Sequence, residues 1–221
     1  MKPFTIIYDE AVALHPQDDI ELFLPTPKSV KQLKAKDDAW YLSLMSRRVF
    51  RAGLKHSMVD SKWPNFELVF HKFNVDWIRM MSDEALEKLM QDKRIIRHWG
   101  KIKSVRHNAA VMYEQREQCP SFGSYLATWP NDEVVYLWED LKKKLKHMGG
   151  NSGPYFLRMA GKDTFLLTND VVRALNRWGV YSGIPKTKKA KLIVQAAFTA
   201  WVRQSNRPMC QISRILALSV D

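Results

Sequence analysis

Gly149 to Arg173 reads G-G-N-S-G-P-Y-F-L-R-M-A-G-K-D-T-F-L-L-T-N-D-V-V-R and holds the densest set of residues able to do chemistry. Gly149, Gly150 and Gly153 permit positive φ and a close approach of backbone to a ligand. Pro154 suits the first turn of a helix. N–H groups left open at such a turn and helix start hold an anion such as a phosphate without any side chain. The lysine-rich run Leu141 to Lys146 leads directly into the turn. Thr168-Asn169-Asp170 then reads as the cap of a further helix. A plain helix C-cap followed by a turn would use the same glycines.

Helical periodicity supplies the elements that position this segment. Trp40, Leu44, Arg48 and Arg51 fall three or four apart, as do Tyr41, Met45, Val49 and Phe50 on a neighbouring face. Asn65 to Phe73 predicts a short amphipathic helix, and Ser82 caps D-E-A-L-E-K-L-M-Q with acids in its first turn. Arg97 to Gln118 forms another helix, with Ile102, Val105, Ala109 and Met112 along one stripe. Val134, Leu137, Trp138, Leu141 and Leu145 mark the next, and Lys188 to Arg203 and Gln211 to Val220 close the chain. Alternating strand patterns are scarce. The expectation is an all-α protein of roughly ten short helices in two lobes. Pro3, Pro16, Pro25 and Pro27 break regular structure, so residues 1–36 are expected as a peripheral extension to a domain spanning 37–221.

The chain has 221 residues and a formal charge of +12, with 46% hydrophobic and 26% charged residues. That is the composition of a soluble globule with attraction to a polyanion, either nucleic acid or an acidic membrane surface. No apolar run reaches the length of a membrane span. Cys119 and Cys210 are the only cysteines, too few for an all-cysteine zinc site or a four-thiolate iron–sulfur cluster. A reducing, cytoplasmic setting is expected.

Three spaced segments carry a family likeness. They are F-R-A-G-L at Phe50 to Leu54, N-F-E-L-V-F-H-K-F at Asn65 to Phe73, and L-M-Q-D-K-R-I-I-R-H-W-G-K-I-K-S-V-R-H-N-A from Leu89. Together they resemble the DNA-3-methyladenine glycosylase I family, and the long motif that includes Asn108 matches without a gap. The wider helix-hairpin-helix glycosylase superfamily extends the likeness through Gly149 to Arg173, where Asp163, Phe165, Val171 and Arg173 correspond to its D-x-F and following positions. The resemblance implies a two-lobed all-α helix-hairpin-helix DNA glycosylase fold. It also implies a monomer, working in the cytoplasm at the nucleoid on double-stranded DNA that carries a damaged base.

The same resemblance assigns expected roles. The hairpin, with Gly149, Gly150, Ser152, Gly153 and Tyr155, would clamp a DNA phosphate, assisted by Arg97, Lys101 and Lys146. Trp40, Tyr41, Arg48 and His56 lie where the family builds its base pocket. Arg48 stands where the family has a glutamate that contacts the extruded purine, and His56 replaces a family tryptophan. Thr168 occupies the position of the superfamily's catalytic aspartate, which leaves Asp170, in the next turn, as the candidate carboxylate to orient water or steady a cationic sugar. Bifunctional members place a lysine two residues after the hairpin's second glycine. With Gly153 taken as that glycine the position is Tyr155, so no lyase activity is expected. The family's zinc ligands have no counterparts here, and neither metal nor cofactor is expected.

The implied activity is hydrolysis of the N-glycosidic bond of an alkylated purine, such as 3-methyladenine, in duplex DNA. Arg48 and Thr168 at positions where the family and superfamily have acids also suit a catalytically inactive helix-hairpin-helix DNA-binding protein. A helical adaptor for acidic proteins would explain the charge but not the ordered motifs.

Overall fold

A computed structural model describes residues 1–220. Among them are thirteen α-helices and three short 3-10 turns, with no strand. The helices are α1 (Phe4–Leu14), α2 (Val30–Lys34), α3 (Asp38–Arg51), α4 (His56–Val69), α5 (Val75–Arg79), α6 (Asp83–Leu89) and α7 (Trp99–Gln115), then α8 (Phe122–Thr128), α9 (Val134–Lys144), α10 (Ser152–Ala160), α11 (Asn169–Arg177), α12 (Lys188–Ser205) and α13 (Met209–Leu218). No helix among the described residues is long and apolar enough to cross a membrane. Two compact units result: one takes residues 1–28, 129–139 and 161 onward, the other 29–128 and 140–160.

In the first unit, Phe165 is fully buried against Trp138, at 4.5 Å between ring centroids, and against Phe198, at 4.4 Å. The N-terminal residues, expected as a peripheral extension broken by prolines, form helix α1 of this unit. Phe4, Ile7 and Ala11 recur at helical spacing and are all buried, so α1 packs on α12 and α13. The Trp201 Nε1–H donates to the Lys2 carbonyl at 3.1 Å, and the Phe4 N–H to Gln204 Oε1 at 2.9 Å. Pro3 sits at the N-cap of α1, where a proline begins a helix instead of breaking it. Only from Ser29 does the expected extension join the second unit, where α2 packs on α8.

The second unit is built around α3 and α7. Phe50, Phe66, Trp63 and Phe73 form a column of rings, with centroids 4.5, 4.8 and 5.5 Å apart in that order. The helix predicted over Asn65 to Phe73 is divided. Its first part is the end of α4, which runs through Pro64. His71, Lys72 and Phe73 then turn in the left-handed region, with φ of 48°, 53° and 58°. That turn returns Phe73 beneath Trp63 while Lys72 stays exposed. Along α7 the predicted stripe holds: Ile102, Val105, Ala109 and Met112 are all buried. Ser82 caps α6 as expected, accepting from the Ala85 N–H at 3.2 Å.

Candidate functional site

The glycine-rich segment is a hairpin between the end of α9 and α10, anchored by buried Leu141, Leu145 and Met148. His147 and Gly150 take the left-handed positions, with φ of 62° and 58°. Gly150 and Asn151 are exposed, and Gly149 is half-buried. Among the described residues, the consecutive N–H groups of His147, Met148, Gly149 and Gly150 meet no internal acceptor. Such a run, with left-handed residues at both ends, makes a concavity suited to an anion. Ser152 and Tyr155 are different: their N–H groups already donate to the carbonyls of Gly149, at 3.1 Å, and Asn151, at 3.0 Å. Of the expected hairpin residues, Gly149 and Gly150 keep open N–H groups, and His147 and Met148 join them. Gly153 differs from these two. It is buried in the first turn of α10, and a Cβ there would meet the Met148 carbonyl oxygen at 2.9 Å. The absence of a side chain there lets the hairpin close.

Helix α7 holds this loop by four polar contacts. Buried Asn108 accepts from the Lys146 N–H through Oδ1 at 2.8 Å and donates through Nδ2 to the Lys146 carbonyl at 3.3 Å. His107 Nε2 lies 3.2 Å from the Lys144 carbonyl, and His147 Nε2 lies 3.4 Å from that of Gly100. The terminal N-A of the long motif is thus the hairpin's mooring. Beside it opens a depression of about 460 Å³ lined by Arg79, Lys103, Arg106, His107, Lys146 and His147. Of these only Lys146 was expected at the site. The signal that was available is the i, i+3, i+4 spacing of Lys103, Arg106 and His107, which puts three cationic or titratable groups on one face of α7.

The other expected electrostatic contacts divide. Arg97 is exposed just before α7, whose N-cap is His98. Lys101 is buried, and its ammonium donates to the carbonyls of Ala52, at 2.7 Å, and Phe50, at 3.3 Å. A cation at the C-terminal end of α3 satisfies carbonyls that the helix leaves open. Its ammonium is spent inside the unit, which corrects the expected role on DNA.

The residues expected around a base also separate. Tyr41 is fully buried; its hydroxyl donates to the Leu33 carbonyl at 2.8 Å and its ring lies 5.6 Å from Phe122. Burial, reinforced by Asp38, pushes the Tyr41 hydroxyl up to about 12. It is a core residue and cannot sandwich a base. Trp40 is half-buried, 5.0 Å from the Tyr41 ring, with the Lys36 ammonium 5.5 Å from its centroid. His56 is exposed at the first position of α4. The structure does bring Arg48 and Tyr155 together: the guanidinium lies over the tyrosine ring, 4.7 Å from its centroid.

Asp170 belongs to the first unit. It is exposed in the first turn of α11 and paired with Arg173 at 2.8 Å, while Thr168 caps the helix by accepting from the Val171 N–H at 3.3 Å. Asp163, the acid of D-x-F, is buried and accepts from the N–H groups of Met209, at 3.0 Å, and Cys210, at 2.9 Å. Its role at the start of α13 is structural, and was missed because the helix it caps lies more than forty residues downstream.

A sequence model of the methyladenine glycosylase family matches residues 32–148, and the chain belongs to that family. The DNA-3-methyladenine glycosylase 1 of Escherichia coli (strain K12) is 31% identical over 83 residues, which is 38% of this chain and 44% of that protein. The matched stretch thus spans less than half the length of that relative. Among solved structures, 3-methyladenine DNA glycosylase I of Staphylococcus aureus shares the fold with a TM-score of 0.52 and 20% identity, over 66% of this chain and 87% of that one. The 8-oxoguanine glycosylase/lyase of Methanocaldococcus jannaschii, solved with DNA, has a TM-score of 0.55 and 15% identity over 96% of this chain and 95% of its own. The all-α helix-hairpin-helix glycosylase fold is therefore established.

Proposed function

We propose that the chain is a DNA glycosylase of base excision repair that hydrolyses the N-glycosidic bond of an alkylated purine in duplex DNA. The observation that carries this reading is the row of unpaired N–H groups from His147 to Gly150, moored to α7 by Asn108. Main-chain donors of this kind position a DNA backbone without reading its sequence. The cationic depression beside them, with exposed Lys103 and Lys146, extends the same attraction. The damaged base is received in the second unit beside Arg48, Tyr155 and Trp40, which supply ring faces for stacking.

Asp170 is the candidate carboxylate for water or for the developing sugar cation, which requires its exposed pair with Arg173 to open. The enzyme is monofunctional: two residues beyond Gly150 stands Ser152, and two beyond Gly153 stands Tyr155, so neither register offers an amine for a Schiff base. It acts as a monomer in the cytoplasm.

Incubation of the purified protein with a methylated duplex, followed by chromatography of released bases, tests the reading. Release of free purine without strand scission is expected. Tight, salt-dependent binding with no base released would instead identify an inactive DNA-binding protein, the reading favoured by Thr168 acting as a helix cap.

A further inference from the structure

The loop that joins α11 to α12 in the first unit is pinned at several points and still carries an apolar tip. Asn176 of α11 holds Gly183 by both backbone groups, its Oδ1 accepting from the N–H at 2.5 Å and its Nδ2 donating to the carbonyl at 2.9 Å. The Val180 N–H donates to the Leu175 carbonyl at 2.9 Å, the Lys186 N–H to that of Ile184 at 2.9 Å, and Pro185 is buried. Gly183 takes φ of 86°, a conformation that favours glycine. Between these anchors Ile184 is left 63% exposed.

Lysines follow it at once. Lys186, Lys188 and Lys189 are exposed, and among the described residues none has a carboxylate within ion-pair distance. Lys191, one turn on, is paired with Glu139 at 2.9 Å. The Lys188 ammonium instead lies over the exposed ring of Tyr136, 4.4 Å from its centroid. The first turn of α12 holds no acid, although that end of a helix favours anions and disfavours cations. The three charges oppose the helix dipole and one another, so helix stability does not account for them. An external polyanion does.

We propose that this loop and helix start form a second DNA-contact surface, apart in the chain from the glycine-rich hairpin. On it Lys186, Lys188 and Lys189 neutralise backbone phosphates, and Ile184 packs on sugar and base edges in the groove between them. The inference rests on the reading that the chain acts on duplex DNA, and it gives the first unit a part in holding that DNA. Phosphates border a groove whose walls are less polar. A rigid apolar tip flanked by free ammonium groups complements that pattern. The preset loop also keeps the ordering cost of contact low.

Fluorescence anisotropy of an undamaged DNA duplex, titrated with the full chain over a series of salt concentrations, tests this. Each lysine that meets a phosphate contributes about 0.9 to the slope of log affinity against log salt. Lys186→Gln, Lys188→Gln and Lys189→Gln should each flatten the slope by about that amount, and the triple variant by roughly 2 to 3. Arg203→Gln, an equal loss of charge at the exposed far end of α12, should leave the slope unchanged. Ile184→Ser should weaken binding roughly 3- to 10-fold at every salt concentration with the slope intact. Every substituted side chain is exposed, so each variant should melt like wild type. A triple-variant slope equal to that of wild type, equal flattening by Arg203→Gln, or an unchanged affinity in Ile184→Ser overturns the proposal and leaves the glycosylase reading standing. An unchanged DNA slope joined to lost affinity for polyglutamate assigns the lysines to an acidic protein and overturns it likewise. A wild type that binds no duplex at any salt concentration removes both readings.

Discussion

Asn108 grips the backbone of Lys146 from both sides, its Oδ1 taking the N–H at 2.8 Å and its Nδ2 reaching the carbonyl at 3.3 Å. Nothing else so directly ties the family motif on α7 to the glycine-rich hairpin. Asn108→Ala removes both bonds and leaves the Lys146 N–H without its partner, a cost of about 1–3 kcal/mol. The loop from His147 to Gly150 should then lose its fixed geometry. The expected result is a measurable drop in melting temperature, faster amide exchange at Lys146, and weaker DNA binding at constant salt. Asn108→Asp keeps the acceptor but not the donor, and should fall between the two. Binding indistinguishable from wild type in Asn108→Ala would show that the hairpin does not hold DNA.

The two hairpin glycines answer different questions. A Cβ on Gly150 would meet nothing within 4 Å, but φ is +58°, so Gly150→Ala is limited to the left-handed penalty of roughly 1–2 kcal/mol. DNA affinity should survive. Gly153→Ala drives a Cβ to 2.9 Å from the Met148 carbonyl oxygen and must move α10 away from the loop. It should lower both stability and DNA affinity. Melting curves and salt titrations on the pair separate strain inside the hairpin from space at its surface.

Tyr41 carries a pH signature. Its hydroxyl is raised from 10.0 to about 12 by burial, with Asp38 adding to the shift. A folded-state pKa above the unfolded value means the stabilisation is complete below pH 10 and is lost as pH rises toward 12. Tyr41→Phe removes the shorter of the hydrogen bonds to the Leu33 carbonyl, at a cost of about 1 kcal/mol near neutrality. It also removes one ionisation from alkaline unfolding. Denaturant titrations between these limits should show a shallower fall for the variant than for wild type.

What the sequence disclosed and what it hid follow one physical division. Periodicity reports which face of a helix is apolar, so the α7 stripe and the Ser82 cap were legible. The same logic was present in Phe4, Ile7 and Ala11, but four nearby prolines outweighed it, although Pro3 merely starts α1. Lys101 was opaque for a different reason. A lysine in a basic motif looks solvated until one knows that the C-terminal carbonyls of α3 converge on its ammonium. Tyr41 and Trp40 were both expected at the base pocket, whereas successive residues of a helix point to different faces, one inward and one half-exposed. Arg48 was readable as a departure from the family pattern; that it lacks any acid partner needed the positions of Asp60 and Tyr155.

Asp163 and Asp170 of the first unit are held in opposite ways, one buried and one exposed. Asp163 is buried with both oxygens engaged by N–H groups that begin α13, so Asp163→Ala uncaps that helix and leaves donors unsatisfied, costing about 1–3 kcal/mol. Asp170 makes an exposed i, i+3 pair with Arg173, which contributes at most about 0.5 kcal/mol. Asp170→Asn should therefore melt like wild type and bind DNA as tightly. Because packing and affinity are untouched, a fall in single-turnover base release in Asp170→Asn reports on chemistry alone. Unimpaired release would reduce Asp170 to a first-turn helix residue, and Asp163→Ala, losing stability and turnover together, shows what a purely structural defect looks like in the same assay.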